Sequence, residues 1–223
     1  MRDTREALSR WSDDPWPILS RWLIGALAIS SLLLLAVLVV SSVVAPDLGF
    51  LYVPSLPEGF EYHGMAETMG RNSLVLALHA VACIAGFIAG SSLALSAERR
   101  SGISRWVHER ARPVAFAWVI AVTGFSLITQ AYALGVIGST LAFSADLSPA
   151  MLLLTALPHA LLELTAVFLP LAAWTIASRR DEWDQLLAAT FVTVGLAIPM
   201  LLVSATWETY VWPYMLRSAS PSI

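Results

Sequence analysis

Residues 23–45 read LIGALAISSLLLLAVLVVSSVVA, a run with no charged residue in it. At a rise of about 1.5 Å per residue, a helix of this length crosses the roughly 30 Å hydrocarbon core of a bilayer. Its apolar core is longer than the roughly 7–15 residues of a cleaved signal, and Pro46 follows its only small-residue end. The run therefore reads as a retained span. Four further apolar stretches meet the same length test: Ser73–Ser96, Pro113–Ile137, Ala150–Ala177 and Leu186–Trp207. The prediction is an all-α polytopic bundle of five transmembrane helices. Residues 23–213 form one membrane domain between an N-terminal segment, 1–22, and a C-terminal tail, 214–223.

Composition agrees. Of 223 residues, 57% are hydrophobic and 13% charged, with a mean hydropathy of +0.71, whereas soluble domains carry about 25% charged residues. The formal charge is −3, so there is no basic surplus for a nucleic-acid partner. A single cysteine, Cys83, excludes a disulfide framework and a multi-cysteine metal site within the chain. No phosphate-binding glycine loop, H-E-x-x-H motif or nucleophile elbow is present. An ATP-driven role would need a separate ATPase chain.

Arginine placement sets the expected orientation. All 13 basic residues are arginine. Arg2, Arg5, Arg10, Arg21, Arg99, Arg100, Arg105, Arg110, Arg112, Arg179 and Arg180 fall on one side of the five spans, and only Arg71 and Arg217 on the other. By the positive-inside rule the N-terminus is cytoplasmic and the C-terminus outside. Trp22, Trp106, Trp174, Trp183, Trp207 and Trp212 lie near span ends, at the headgroup level their amphipathic rings favour. Asp3–Trp11 reads as a short surface helix. The long outer loop, 46–71, carries the apolar run Phe50–Val53 and the acids Asp47, Glu58, Glu61 and Glu67. It is expected to fold as a lid, with part of Phe50–Met69 over His79 or His159.

Ionisable groups inside spans are expensive in lipid and default to site candidates. The candidates are Asn72, His79, Gln130, His159, Glu163 and Glu208. Counting from the span ends puts His79 about 9 Å, His159 about 13 Å and Glu163 about 20 Å below the outer boundary, with Glu208 close to it. His159 and Glu163, four apart, share a helical face. Pro158 is expected to break the helix and make His159 the start of a half-helix, with Gly195 and Pro199 interrupting the fifth span. Three readings stand side by side: hydrogen bonds that hold helices together, a zinc site built from His79, His159 and Glu163, and a cavity for a proton or polar ligand. Gly86 and Gly90 form a GxxxG face for close helix packing, within the chain or in a homo-oligomer.

Two stretches resemble a known family. Leu157-Pro158-His159-Ala160-Leu161-Leu162-Glu163-Leu164 is similar to the P-H-G-x-x-E-L signature of the stage II sporulation protein M family, with Ala160 in place of the glycine. Ser204–Pro213 resembles the closing A-x-x-E-A-x-x-x-P stretch of that family, and Asn72 matches a family asparagine. Gln130-Ala131-Tyr132-Ala133-Leu134-Gly135 stands where the family often has an asparagine-glycine pair. The resemblance covers roughly residues 65–215. It implies a multi-pass protein of a prokaryotic cell membrane without an established enzymatic activity. The expected role is a non-enzymatic scaffold recruiting a cell-envelope, peptidoglycan-remodelling or export partner, with no resident cofactor. The alternative is a membrane-embedded enzyme or carrier that uses the His/Glu cluster, for example in maturation or export of a circular bacteriocin.

The orientation is directly testable. In a Cys83→Ser background, an impermeant thiol reagent applied to intact cells should label a cysteine placed at Ser148 and spare one at Ser101. The reverse pattern contradicts the arginine reading.

Overall fold

The structure is a computed structural model that describes residues 2–47, 49, 62–88 and 102–220. Its elements are α1 (Arg2–Asp13), α2 (Trp16–Val43), α3 (Tyr62–Phe87), α4 (Gly102–Ser144), α5 (Pro149–Arg180), a 3-10 turn (Trp183–Gln185), α6 (Leu186–Tyr210) and α7 (Trp212–Ala219). The described residues contain no strand. Helices α2 to α6 each contain a stretch long and apolar enough to cross a membrane.

The helix boundaries follow from local chemistry. Pro17 sits in the first turn of α2, where a missing N–H costs nothing, and Val44 turns extended two residues ahead of Pro46. Ser148 caps α5, its hydroxyl oxygen accepting the Met151 amide at 3.2 Å, and Pro149 follows at the first helical position. Asp181 closes α5 in the left-handed region at φ 61°.

Helix α5 is the axis. Half of its span is buried, against 11% of that of α4, and Leu164–Trp174 is buried without interruption. A stretch apolar on every side suits a helix surrounded by others. Helices α2, α6 and α3 pack around it, while α4 lies mainly against α2. Paired positions give the directions. His79, Cys83 and Gly86 on α3 meet Val167, Pro170 and Trp174 in the same order, so α3 and α5 run parallel. Ser204 meets Glu163, and Leu186 meets Gly86, so α6 runs antiparallel to both. Ser139 and Thr140 reach Val44 and Asp47, which places the far ends of α2 and α4 together. At the opposite end, α1 lies against the 3-10 turn and the start of α6, and Trp11 meets Trp22 edge to face at 5.2 Å. Arg10, Arg21, Arg179 and Arg180 therefore share one end of the bundle.

Several expectations change. The second half of the 46–71 loop is helix, because α3 begins at Tyr62 rather than near Ser73. His79 stands about 26 Å from the start of α3. Pro158 and Pro170 both lie inside an unbroken α5, and Pro199 inside an unbroken α6. His159 is not the start of a half-helix. The third span continues past Ile137 to Ser144. The tail from residue 214 is mostly helix α7, which packs on α5 and α6 through Pro213 and Leu216. The apolar run Phe50–Val53 and Gly90 lie outside the described residues.

Gly86 performs the close-packing role within the chain. A Cβ there would stand 2.6 Å from Trp174 Nε1, whereas Gly124 faces open space. Gly86→Ala is expected to lower the unfolding free energy in detergent by about 1–3 kcal/mol, because the Trp174 indole must move. Gly124→Ala should leave it unchanged.

Candidate functional site

The polar group is built at the end of the bundle where α3 and α5 begin and α6 finishes. Glu163 of α5 lies at the level of Ser204 on α6, with Glu208 one turn further along α6 and α3 beside both carboxylates. Ser204 Oγ on α6 lies 3.0 Å from the His159 carbonyl oxygen, to which it donates, and 3.4 Å from Glu163 Oε2. That residue is fully buried, and its single O–H ties α6 to α5 at the His159 carbonyl with Glu163 Oε2 within reach. On α3, Arg71 acts electrostatically on both carboxylates, Thr68 faces Glu208 and Asn72 faces Glu163. The Asn72 Nδ2 is buried and makes no well-formed hydrogen bond. Glu163 and Glu208 are also close enough to act on each other. Two half-buried carboxylates from adjacent helices thus lie within electrostatic reach of one exposed guanidinium.

His159 does not join this group through its ring. The imidazole packs on Trp212 of α7 at 5.3 Å, and Trp212 Nε1 donates to Thr155 Oγ1 at 3.3 Å. The i, i+4 spacing puts His159 and Glu163 on one side of α5, yet the two serve different neighbours. His79 lies at a deeper level. Its Nδ1 bonds the Val167 carbonyl at 3.0 Å and its ring tilts against Phe168 at 5.3 Å. One turn on, Cys83 Sγ donates to the Pro170 carbonyl at 2.9 Å. Gln130 donates to Ser126 Oγ on its own helix at 2.9 Å, on the thinly packed α4.

The candidates therefore divide into separate levels rather than one cluster. Asn72, Glu163 and Glu208 come together, while His79, His159 and Gln130 each have other surroundings. Among the described residues no three His, Cys, Asp or Glu side chains stand close enough to hold a metal ion. The set His79, His159 and Glu163 is not a ligand group here. On the expected lid, the described part places Met65 Sδ 3.9 Å from Thr206 Oγ1 and Thr68 beside Glu208. It borders the carboxylate pair, not His79 or His159.

Sequence reasoning missed Ser204, Thr68, Arg71 and Trp212. Ser204 stands four residues before Glu208, on the same helical face, and Arg71 is a charged residue inside a span; both signals were legible. Nothing local marks Thr68 or Trp212.

Residues 111–213 match the family model described as stage II sporulation protein M. Over that stretch the chain is similar to the SpoIIM family. The match runs from within α4 through α5 and α6 to Pro213, so it contains His159, Glu163, Ser204 and Glu208 but not the α3 residues Arg71, Asn72 and His79. No curated protein and no solved structure matches the chain.

If Arg71 balances the carboxylates, Arg71→Gln should destabilise the bundle more than Ser204→Ala. The serine variant is expected to lose about 0.6 kcal/mol, and at most about 1.7 kcal/mol, in a bilayer-mimetic unfolding assay. Adding Glu208→Gln to Arg71→Gln should recover part of the loss, because it removes a charge left without its partner.

Proposed function

We propose that this SpoIIM-family protein is a non-enzymatic scaffold in the cell membrane of a prokaryote, N-terminus inside, that holds a cell-envelope or export partner in place. One observation carries the reading: several polar side chains bond from one helix to another. Ser204 donates to the His159 carbonyl of α5, His79 and Cys83 bind carbonyls of α5 from α3, and Trp212 and Ser220 bind Thr155 and the Ala145 carbonyl from α7 and just beyond it. Groups committed in this way stabilise one arrangement of spans, which is what a scaffold requires.

A second reading draws on the charge count. Glu163 and Glu208 face a single arginine, and a surplus carboxylate suits a carrier that binds a proton or a small cation.

Glu163→Gln separates the two. It keeps the shape and an acceptor oxygen while removing the charge. For a scaffold, the amount of partner that co-purifies from native membranes should follow the amount of folded protein, with a normal yield per folded molecule. For a carrier, the variant should fold to normal levels, retain its partners and lose function. The second pattern overturns the scaffold proposal.

A further inference from the structure

Two turns on the outside of the bundle carry hydrogen-bonding groups that the chain leaves unused. The first is on α6. Pro199 has no N–H, so the Gly195 carbonyl loses its helical partner, although α6 stays α-helical through this turn. Among the described residues no side chain replaces that partner: the hydroxyls of Thr190, Thr193 and Thr206 donate to the Leu186, Ala189 and Leu202 carbonyls. A carbonyl freed by proline in a span is normally satisfied by a neighbouring helix, a hydroxyl or water. Here the turn faces outward. Gly195 and Pro199 are exposed, Phe191 and Ile198 beside them are 75% and 48% exposed, and a Cβ at Gly195 would meet open space.

The second turn is on α2. Ser30, Ser41 and Ser42 each donate to a carbonyl about one turn back, but the exposed Ser31 makes no hydrogen bond among the described residues. Ile24, Ala28, Ser31 and Leu35 on α2 and Phe191, Gly195, Ile198 and Leu202 on α6 are all exposed. Both sets follow the spacing i, i+4, i+7, i+11, so each forms one stripe along its helix. Each stripe has a small residue, Ala28 or Gly195, one turn above a large one.

The two turns also share a depth. Helices α2 and α6 both run antiparallel to α5. Gly25 of α2 lies against Ala172 and Ile176, the level of Trp174 on α5, and Trp174 and Leu186 both meet Gly86. From that common level Ser31 rises about 9 Å and Gly195 about 13.5 Å, a difference of less than one helical turn. Copies inserted in the same orientation therefore present an unused donor and an unused acceptor at matching heights.

We infer that a second copy of this chain docks its α2 on α6, the Ser31 hydroxyl of one copy donating to the Gly195 carbonyl of the other. Ala28 and Gly195 let the two backbones approach, as small residues do between membrane helices. Above Gly195 the α6 stripe opens into a shallow hollow of about 310 Å³ lined by Leu202, Val203, Thr206, Trp207 and Val211, which receives the large side chains that follow Ser31 on the other copy.

The test measures energy transfer between donor- and acceptor-labelled copies of the full chain in liposomes over a range of lipid-to-protein ratios. The dyes sit on Ser218→Cys in a Cys83→Ser background. Transfer should rise and saturate as the ratio falls. Gly195→Leu enters open space in a single copy, so it should fold and raise the apparent dissociation constant roughly tenfold or more; Ala28→Leu blocks the same approach from α2 if the first variant does not fold. Ser31→Ala should raise the constant about threefold, the usual worth of one hydrogen bond between membrane helices. Pro199→Ala gives the Gly195 carbonyl its helical N–H back and should weaken association by a similar factor. Combining Ser31→Ala with Pro199→Ala should then do no more than either alone, because both remove the same bond. Absence of association, undiminished association in a folded Gly195→Leu or Ala28→Leu chain, or additive effects of Ser31→Ala and Pro199→Ala would each overturn the inference.

Discussion

A helix carbonyl released by proline has no water to turn to inside a bilayer, and this bundle is organised around such a place. Pro170 lacks the N–H that would bond the Ala166 carbonyl and crowds the turn before it. Helix α5 nevertheless runs through without a break. At that turn His79 bonds the Val167 carbonyl and Cys83 the Pro170 carbonyl. Neither is the Ala166 carbonyl that the proline frees; both are neighbouring acceptors on the same turn, and these bonds hold α3 against α5 there, parallel to it.

The same logic continues toward the other end of α5. Gly86 lets α3 approach Trp174 on one side of the proline turn. On the other side, Ser204 repeats the arrangement from α6, with a hydroxyl on the His159 carbonyl. The carboxylate pair lies just beyond, where Arg71 enters from α3. Charge is therefore placed where three helices already converge, with the exposed Arg71 beside two half-buried carboxylates. Helix α4 takes no part in this clasp. It adheres to α2 through Gly135 and Gly138, and its contact with α3 is loose.

The spans were legible in the sequence because bilayer crossing demands long apolar runs, and that demand is local. Their ends were less so. Tyr62–Asn72 reads as loop because Glu67, Arg71 and Gly64 interrupt the apolar pattern, yet the helix extends through them to bring Thr68 and Arg71 to the carboxylates. Pro158 and Pro199 read as breaks from local chemistry, but a helix held on several sides tolerates proline. Glu163 and Glu208 were legible as inward-facing because lipid exposure of a charge costs about 2.5–3.5 kcal/mol even on lenient scales. Which groups would meet was not legible. The 45-residue separation of His159 and Ser204 and the role of Trp212 depend on how α6 and α7 return along α5, and no periodicity encodes that.

The central claim is that the polar contacts on α5 bind α3, α5 and α6 into one cooperative unit. Amide hydrogen exchange of the full chain in lipid nanodiscs tests it most directly, with and without Glu163→Gln. The account predicts that Leu164–Ala173 exchanges last in the wild type. It also predicts that the substitution speeds exchange together in the first half of α3, the first half of α5 and the last turns of α6, and leaves α4 unchanged. Faster exchange confined to α5, or spread equally over α4, would contradict it.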